Sequence, residues 1–186
     1  MKKIYGFTIV AIASLLFACN SESGNAKSEP SGSDAKIAGQ SAVQDDESAK
    51  DVVKIAAGSK DHTTLVAAIK QAELVDALTN AGPFTVFAPT NAAFDKLPGG
   101  TVEDLMKPEN KEKLQDILQY HVFLGSLKTD FMQDGQMLNE VNGGNITISK
   151  KDGKTIINNT ATVIATIPAS NGIIHVIDGV LLPPTK

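Results

Sequence analysis

The chain has 186 residues, with 17 basic and 21 acidic side chains and a formal net charge of −4. Every basic residue is lysine, so arginine, the usual residue for bidentate recognition of phosphate and carboxylate, is missing. This charge balance and this composition argue against nucleic-acid binding. The single cysteine excludes an internal disulfide, and the fold must therefore be stabilised by its core alone.

The N-terminal segment has the pattern of an export signal. Two lysines precede a largely apolar stretch, residues 4–17, which is shorter than the roughly 20 residues that span a bilayer. The stretch leads into Leu-Phe-Ala-Cys, which ends at Cys19 and resembles a bacterial lipobox. The resemblance implies cleavage before Cys19 and diacylation of its sulfur, with residues 1–18 as a lipoprotein signal peptide. The alternative is an ordinary signal peptide followed by a chance cysteine.

Residues 19–48 are predicted to form a flexible polar tether. The segment is rich in Ser, Gly, Lys, Glu and Asp and has no aromatic residue, so it cannot bury enough apolar surface to offset its ordering entropy. Residues 49–186 then form one domain, because their number suits a single core and they contain no internal repeat.

The first half of this domain shows mainly helical signals. Residues 64–72 place Leu65, Ile69 and Ala72 on one helical face, after threonines that are suited to cap the helix. A further helix is predicted at residues 74–78. Residues 101–104 resemble a capping box, with Asp in place of Glu, at the start of another helix. Pro108 suits the first turn of the next helix, in which Leu114, Ile117, Leu118 and His121 form a stripe.

Residues 85–94, with the sequence TVFAPTNAAF, predict a strand that runs directly into a helix. The β-branched and aromatic residues at its start suit a strand, which must end or become an edge at Pro89 because proline has no N–H to donate. The next two residues are N-cap types, and residues that suit a helix follow them. The residues to which this motif gives a structural role are Thr85, Phe87, Pro89, Thr90, Asn91 and Phe94. The side-chain amides of Asn91 and, in the last motif, of Asn171 are expected to bond to local backbone.

The second half of the domain shows mainly strand signals. Strands are predicted at residues 146–148, 155–157 and 162–167, and Lys-Asp-Gly-Lys at residues 151–154 indicates a tight hairpin between the first two. Helices followed by strands favour an α+β fold over a parallel α/β sheet.

The last apolar segment predicts a turn followed by a buried strand. Asn171 and Gly172 suit the turn because both residue types tolerate positive φ. From Ile173 to Leu182 both faces of the strand are mostly apolar, so both should be buried. His175 is therefore expected to be a neutral, hydrogen-bonded imidazole in the core, and Asp178 a turn-capping or strand-end carboxylate.

Three of these motifs together resemble a known family. Residues 85–94 and 169–183 are similar to the two signature boxes of the fasciclin-like (FAS1) domain, and Tyr120-His121-Val122 is similar to its Tyr-His motif. The resemblance covers about residues 51–184. It implies a single FAS1-type α+β domain, a β-sandwich or wedge with helices packed along it.

The polar residues of these motifs suggest binding rather than catalysis. The resemblance places Tyr120 and His121 on a contact surface, as in some adhesive members, whereas the structural alternative is a helix-end histidine favoured by the helix dipole. His62 is expected in a solvated loop. No two histidines have metal-ligand spacing, and the sequence has no Gly-x-Ser-x-Gly elbow and no phosphate loop. We therefore expect no catalytic residue, no metal and no cofactor.

The resemblance implies a non-catalytic module for adhesion or for protein or matrix interaction. The lipobox implies a place in the bacterial envelope, anchored to the outer membrane and either periplasmic or surface-exposed. The expected partner is an envelope protein, a matrix polymer or a host surface. Integrin binding is not implied, because Thr166-Ile167 stands where some animal members have an Asp-Ile pair. The alternative function is a carrier of a small apolar ligand in a cleft between sheet and helices.

Overall fold

A computed structural model describes residues 50–184. The α-helices of this part of the chain all lie before residue 120, as predicted for the first half of the domain. They are α1 (Val52–Ala57), α2 (Thr63–Gln71), α3 (Val75–Thr79), α4 (Asn91–Asp95), α5 (Thr101–Leu105) and α6 (Lys111–Gln119). Short 3-10 helices occupy Lys60–His62, Pro108–Asn110 and Thr129–Phe131.

Within the described residues, seven strands form one sheet. They are β1 (Phe84–Pro89), β2 (Val122–Leu124), β3 (Met137–Asn139), β4 (Asn145–Lys151), β5 (Lys154–Ile157), β6 (Ala161–Ala169) and β7 (Gly172–Ile177). Their order across the sheet is β2-β1-β7-β6-β5-β4-β3. Only β1 and β7 pair in parallel, and their register sets Phe87 opposite His175. The predicted α+β class is confirmed, and the strands of the two sequence boxes lie side by side as the second and third strands of the sheet.

The sheet curls until its two ends meet. Phe123 of β2 forms a bridge with Glu140, the residue after β3. The N–H of Val141 donates to the carbonyl of Val122 over 2.9 Å. We call these four residues, Val122, Phe123, Glu140 and Val141, the seam. The predicted sandwich or wedge is thus a single sheet closed nearly into a barrel.

The apolar core has two parts, which the sheet separates. The helical core lies between the sheet and helices α1, α2, α3 and α6 and includes Leu65, Ile69, Leu114, Leu118, Ile174 and Val176. The barrel core lies inside the curl and includes Phe87, Tyr120, Ile146, Ile148, Ile157 and Ile177. Because side chains alternate along a strand, β7 contributes to both cores. This confirms the prediction that β7 is buried on both faces.

The hairpin predicted at residues 151–154 is confirmed. Lys151 pairs with Lys154, and the two residues between them have positive φ, 51° at Asp152 and 73° at Gly153. Positive φ at both central positions is the requirement of a type I′ turn, which matches the twist of the flanking strands.

Three local predictions are wrong at the ends of elements. The threonines do not cap α2, because Thr63 and Thr64 lie inside its first turn and the N-cap is His62, which makes no side-chain cap bond. Residues 101–104 are not a capping box, because α5 begins at Thr101 after a left-handed Gly100 with φ 84°. The last strand ends at Ile177 rather than at Leu182.

The predictions for the N-terminal region lie outside the described residues. They are the signal peptide over residues 1–18, the lipidation of Cys19 and the tether over residues 19–48. Within residues 50–184, no helix combines the length and the apolar character that crossing a bilayer requires.

Candidate functional site

The residues of the first box are part of the scaffold. The Thr85 hydroxyl is buried, donates to the carbonyl of Gly125 over 2.7 Å and accepts from the N–H of Leu127 over 3.0 Å. Thr90 caps α4, since its hydroxyl accepts from the N–H of Ala93 at 3.3 Å. Phe87 is fully buried, Pro89 is the last residue of β1, and Phe94 is half-buried on α4.

Asn91 supplies the cap that α2 lacks. Its Oδ1 accepts from the N–H of Thr64 over 3.0 Å, and its Nδ2 donates to the carbonyl of Lys60, also over 3.0 Å. An N-cap normally comes from the residue just before the helix, but here it comes from 27 residues further along the chain. The prediction of a bond to local backbone is therefore wrong, because the side chain joins α4 to the start of α2.

Asn171 makes a similar long-range connection from the second box. Its Oδ1 accepts from the N–H of Val52 at the start of α1 over 3.0 Å. Its Nδ2 donates to the carbonyls of Leu78 and Asn80, over 2.8 and 3.0 Å, at the end of α3. These bonds also correct the expectation of a local role. One amide in the β6–β7 turn thus satisfies groups at two helix ends that have no intrahelical partner.

Position 172 requires glycine because the backbone of the turn lies close to β1, and not because its φ is positive. Neither Asn171 nor Gly172 has positive φ, contrary to the prediction for this turn. A Cβ at position 172 would lie 2.1 Å from the carbonyl oxygen of Phe84. Only glycine therefore lets the β6–β7 turn lie against the start of β1.

His175 is a buried neutral imidazole, as predicted. Its Nε2 lies 2.8 Å from the carbonyl of Leu127, which only accepts, so Nε2 carries the proton. Its Nδ1 lies 2.9 Å from the Thr166 hydroxyl and accepts from it. Burial lowers the pKa of His175, and the bond to Leu127 opposes this in part. The ring centroid lies 5.7 Å from that of Phe87, so His175 joins the two boxes within the barrel core.

Tyr120 and His121 do not form a contact surface. They are only 2% and 3% exposed. The Tyr120 hydroxyl donates to the carbonyl of Asn145 over 2.8 Å and accepts from Nδ2 of Asn158 over 3.0 Å. The proposed interaction role of Tyr120 and His121 is therefore wrong, because both side chains are buried and hydrogen-bonded inside the domain.

His121 is not a cation at a helix end either. Its Nδ1 donates to the carbonyl of Ile117 over 2.7 Å, and its Nε2 accepts from the N–H of Leu181 over 3.0 Å. Burial lowers its pKa to about 4, against a small opposing effect of the Ile117 bond. The desolvation of a charged ring outweighs the attraction of the helix dipole, so the imidazole is neutral near pH 7.

His62 is buried, which corrects its expected place in a solvated loop. Its Nδ1 lies 2.9 Å from the Ser59 hydroxyl, and its Nε2 has no hydrogen-bond partner among residues 50–184. Burial lowers its pKa, and the nearby Asp61 carboxylate opposes this in part. Sequence patterns gave no sign of this burial, because the residue lies in a short polar stretch between α1 and α2.

Asp178 closes the end of the β6–β7 pair. Its Oδ1 accepts from the N–H of Thr162 over 2.6 Å, and its own N–H donates to the carbonyl of Thr162 over 3.1 Å. This agrees with the predicted strand-end role. The regular β6–β7 pairing ends after Ile177 because the Asp178 carboxylate accepts the Thr162 N–H, which the Asp178 carbonyl would accept in a continued ladder. Within the described part of the chain, no group of three His, Cys, Asp or Glu side chains is placed to hold a metal ion.

An apolar cavity lies between the helices and one end of the sheet. Its volume of about 20 Å³ is close to that of a single water molecule. Small-molecule sites are usually about 300–1,000 Å³. The lining includes Leu65, Phe94, Leu105, Met106, Leu114 and His121. The closed cavity therefore does not accommodate a pigment-sized ligand.

Three of the six exposed large apolar side chains among the described residues lie near the seam. Leu124, Met137 and Val141 are 65%, 64% and 42% exposed. Phe123 and Glu140 oppose each other, so the alternate residues Leu124 and Val141 point to the other face of the sheet, as does Met137. We call Leu124, Met137 and Val141 the seam patch. Sequence analysis missed it because β2 and β3 are too short to show alternation.

The comparisons identify the family. The Fasciclin domain profile matches residues 60–183. The chain belongs to the fasciclin domain family. This confirms the predicted resemblance. Fasciclin domains are in general non-catalytic modules associated with cell adhesion and cell-surface proteins.

Relatives of this fasciclin domain occur in bacteria. It is 51% identical over 138 residues to protein sll1483 of Synechocystis, covering 74% of this chain and 76% of that one. It is 36% identical over 113 residues to the cell surface glycolipoprotein MPB83 of Mycobacterium bovis. That match covers 61% of this chain and about half, 49%, of the mycobacterial protein.

The fold is that of a solved fasciclin structure. The FAS1 domain pair from the insect cell adhesion molecule Fasciclin I superposes with a TM-score of 0.64 at 18% identity. The superposition covers 74% of this chain and 51% of the insect chain, so it relates this domain to about half of the pair. It confirms the predicted α+β fasciclin fold.

Proposed function

We propose that this chain is a lipid-anchored envelope protein whose fasciclin domain binds a protein partner and catalyses no reaction. The observation that carries the proposal is the contrast between the motif residues and the seam patch. The polar motif side chains are bonded within the domain, whereas the seam patch presents exposed apolar side chains. Exposed apolar side chains grouped together are typical of interaction sites.

The chemistry of the seam patch favours a protein over a matrix polymer. Leu124, Met137 and Val141 offer no charge and no side-chain hydrogen-bond donor. The described chain also has no tryptophan on which a sugar ring would stack. A folded protein with its own apolar surface is therefore the better match, and an envelope or host-surface protein would provide one.

The binding proposal is tested with the double substitution Leu124→Ser and Met137→Ser. We expect the purified variant to bind intact producing cells at least tenfold less than the wild type, because two exposed anchors of the patch are lost. The matched control is Ile164→Ser, since Ile164 is 57% exposed on β6, outside the patch. Both proteins should keep the wild-type melting temperature, because surface substitutions rarely change stability by more than about 0.5 kcal/mol.

Equal binding by the double variant and the wild type would show that the seam patch is not the binding site. Loss of wild-type binding after enzymatic removal of cell-surface polysaccharide would identify a matrix polymer as the partner instead. Copurification of a stoichiometric apolar ligand would favour the alternative carrier function, for which the small cavity would first have to open.

The anchor is tested with Cys19→Ser. The lipobox-like sequence at Cys19 supports the anchor, as does the similarity to a mycobacterial cell surface glycolipoprotein. We expect the variant to leave the membrane fraction, because the sulfur that would carry the lipid is replaced by an oxygen. A variant that stays with the membranes would contradict lipidation at this residue. Protease treatment of intact cells, with a periplasmic marker as control, then distinguishes a surface-exposed from a periplasmic domain.

A further inference from the structure

Glu140 is a buried carboxyl that lacks a hydrogen-bond partner. The residue is 2% exposed, and neither of its carboxyl oxygens is bonded to any of residues 50–184. Buried carboxyls are normally paired or hydrogen-bonded, because removing an ionised group from water is unfavourable. The roles derived above do not use this side chain.

The position of Glu140 is the point where the curled sheet closes. It pairs with Phe123 across the seam, and the next residue, Val141, donates the bond to Val122. The strands that meet here are short, since β2 and β3 have three residues each. The seam is therefore held by few backbone bonds, and a change in the charge of one side chain inside it has a large relative effect.

The surroundings of Glu140 offer no compensating charge. Its own N–H donates to the carbonyl of Gly144, and the Tyr120 ring packs beside Gly144. The titratable groups on the segments around Glu140 are each hydrogen-bonded elsewhere. The Tyr120 hydroxyl is bonded to Asn145, and the Asp116 carboxylate is bonded to Asn142. The His121 imidazole is bonded to Leu181. None of them is a cation near pH 7. Burial is the cause of a pKa for Glu140 raised to about 8.

We propose that Glu140 is a pH-sensitive latch, which keeps the seam closed while its carboxyl is protonated and releases β2 from residues 140–141 when the carboxyl ionises. Opening brings the side chain into water, where an ionised carboxylate is stable. It also exposes the edges of β2 and β3 and part of the barrel core beneath them. The proposal does not depend on the partner proposed for the seam patch.

The direction of the pH dependence follows from proton linkage. The closed seam holds the proton up to about pH 8, whereas the open seam has a carboxyl with an ordinary pKa of 4.5. A pKa raised in the closed form gives a closed seam that is most stable below pH 4.5 and loses stability as the pH rises to about 8. Since one proton is released on opening, the ratio of open to closed seam rises about tenfold per pH unit in this range.

The test is amide hydrogen exchange of the full-length protein between about pH 6.5 and 8. The buried histidines have folded pKa values below the ordinary 6.5, so any protonation of the unfolded chain above pH 6.5 makes stability rise with pH, which is opposite in sign to the effect of Glu140. We expect the protection factor of the Val141 amide to fall about tenfold per pH unit. It should also be at least tenfold below that of the Ile174 amide on β7, which is paired with a strand on each side, because local opening needs less free energy than global unfolding.

Two variants and a control isolate the carboxyl. Glu140→Gln keeps the shape and cannot ionise, so the protection of Val141 should no longer change with pH. Glu140→Leu removes the polar group, and its Val141 protection factor should likewise not change with pH. This second variant replaces the glutamine variant if that protein folds poorly. Glu103→Gln, at an exposed residue of α5, should keep the wild-type slope.

Two results would overturn the latch. One is a wild-type Val141 protection factor that stays constant between about pH 6.5 and 8 or changes equally in Glu140→Gln. The other is equal protection of Val141 and Ile174, which would mean that the seam opens only when the whole domain unfolds.

Discussion

His121 shows how a histidine can be fixed in one protonation state by a hydrogen-bond acceptor on one side of the ring and a donor on the other. The carbonyl of Ile117 accepts from Nδ1, and the N–H of Leu181 donates to Nε2. A second proton on the ring would place two N–H groups against each other at Leu181. The geometry and the burial therefore act in the same direction, and both favour the neutral ring. In this protein the Tyr-His motif has a structural role, because His121 at the end of α6 binds the N–H of Leu181 in the chain after β7.

This geometry predicts that His121 makes the fold acid-sensitive. The folded pKa is about 4 and the unfolded pKa is 6.5, so the unfolded chain binds the extra proton first as the pH falls. The stabilising contribution of His121 is fully present above pH 6.5 and is lost as the pH falls to about 4, a change of about 3 kcal/mol in the free energy of unfolding. Urea unfolding at several pH values between these limits measures it.

The comparison variant is His121→Gln, whose amide can still donate and accept. Glu140 has a pH dependence of opposite sign in part of this range, but it is present in both proteins and cancels from their difference. We expect the stability advantage of the wild type over His121→Gln to shrink as the pH falls from about 7 to 4. A difference that is independent of pH would contradict a neutral, desolvated His121.

At the scale of elements, the helices are held together by side chains that come from outside them. Asn91 satisfies an N–H at the start of α2, and Asn171 joins the start of α1 to the end of α3. Both amides lie in the two sequence boxes, next to the ends of β1 and β7. The boxes therefore do more than form the adjacent strands β1 and β7, because they also set where three short helices begin or end.

The sequence was most informative where the signal is local. Alternation predicted β4, β5 and β6, and the dipeptide Asp152-Gly153 predicted the hairpin, because turn type depends on the residues in the turn itself. The cap of α2 was mispredicted because the acceptor, Oδ1 of Asn91, lies 27 residues further along the chain. The strands β2 and β3 were missed because three residues are too few for a period to appear.

The candidate site was harder to predict than the fold. A Tyr-His pair at a helix end has the same local pattern whether it faces solvent or the core, and the structure shows both residues buried. Glu140 gave no signal, since an acidic residue two positions before Asn142-Gly143 suggests an exposed turn. Its burial follows from the closure of the sheet, which joins residues that are far apart in the sequence.

For the whole molecule, β7 is the element on which both cores depend. It pairs with β1 on one side and β6 on the other, and it contributes Ile174 and Val176 to the helical core and Ile177 to the barrel core. The parallel pair of β1 and β7 joins segments about 90 residues apart in sequence. The closing of so long a loop has a cost in chain entropy, which the apolar burial on both faces of β7 must offset.

This arrangement predicts that the domain does not fold without its last strand. A chain ended after Ala169 loses β7, which leaves β1 and β6 unpaired on facing edges and opens both cores. We expect it to show no cooperative thermal transition by circular dichroism, whereas a control chain ended after Pro184 should melt like the full-length protein. The control retains Leu181, whose N–H bonds to His121, and lacks only two residues. A cooperative transition in the shorter chain would show that one core is stable by itself, and the sheet would then be two units joined at β7 instead of one.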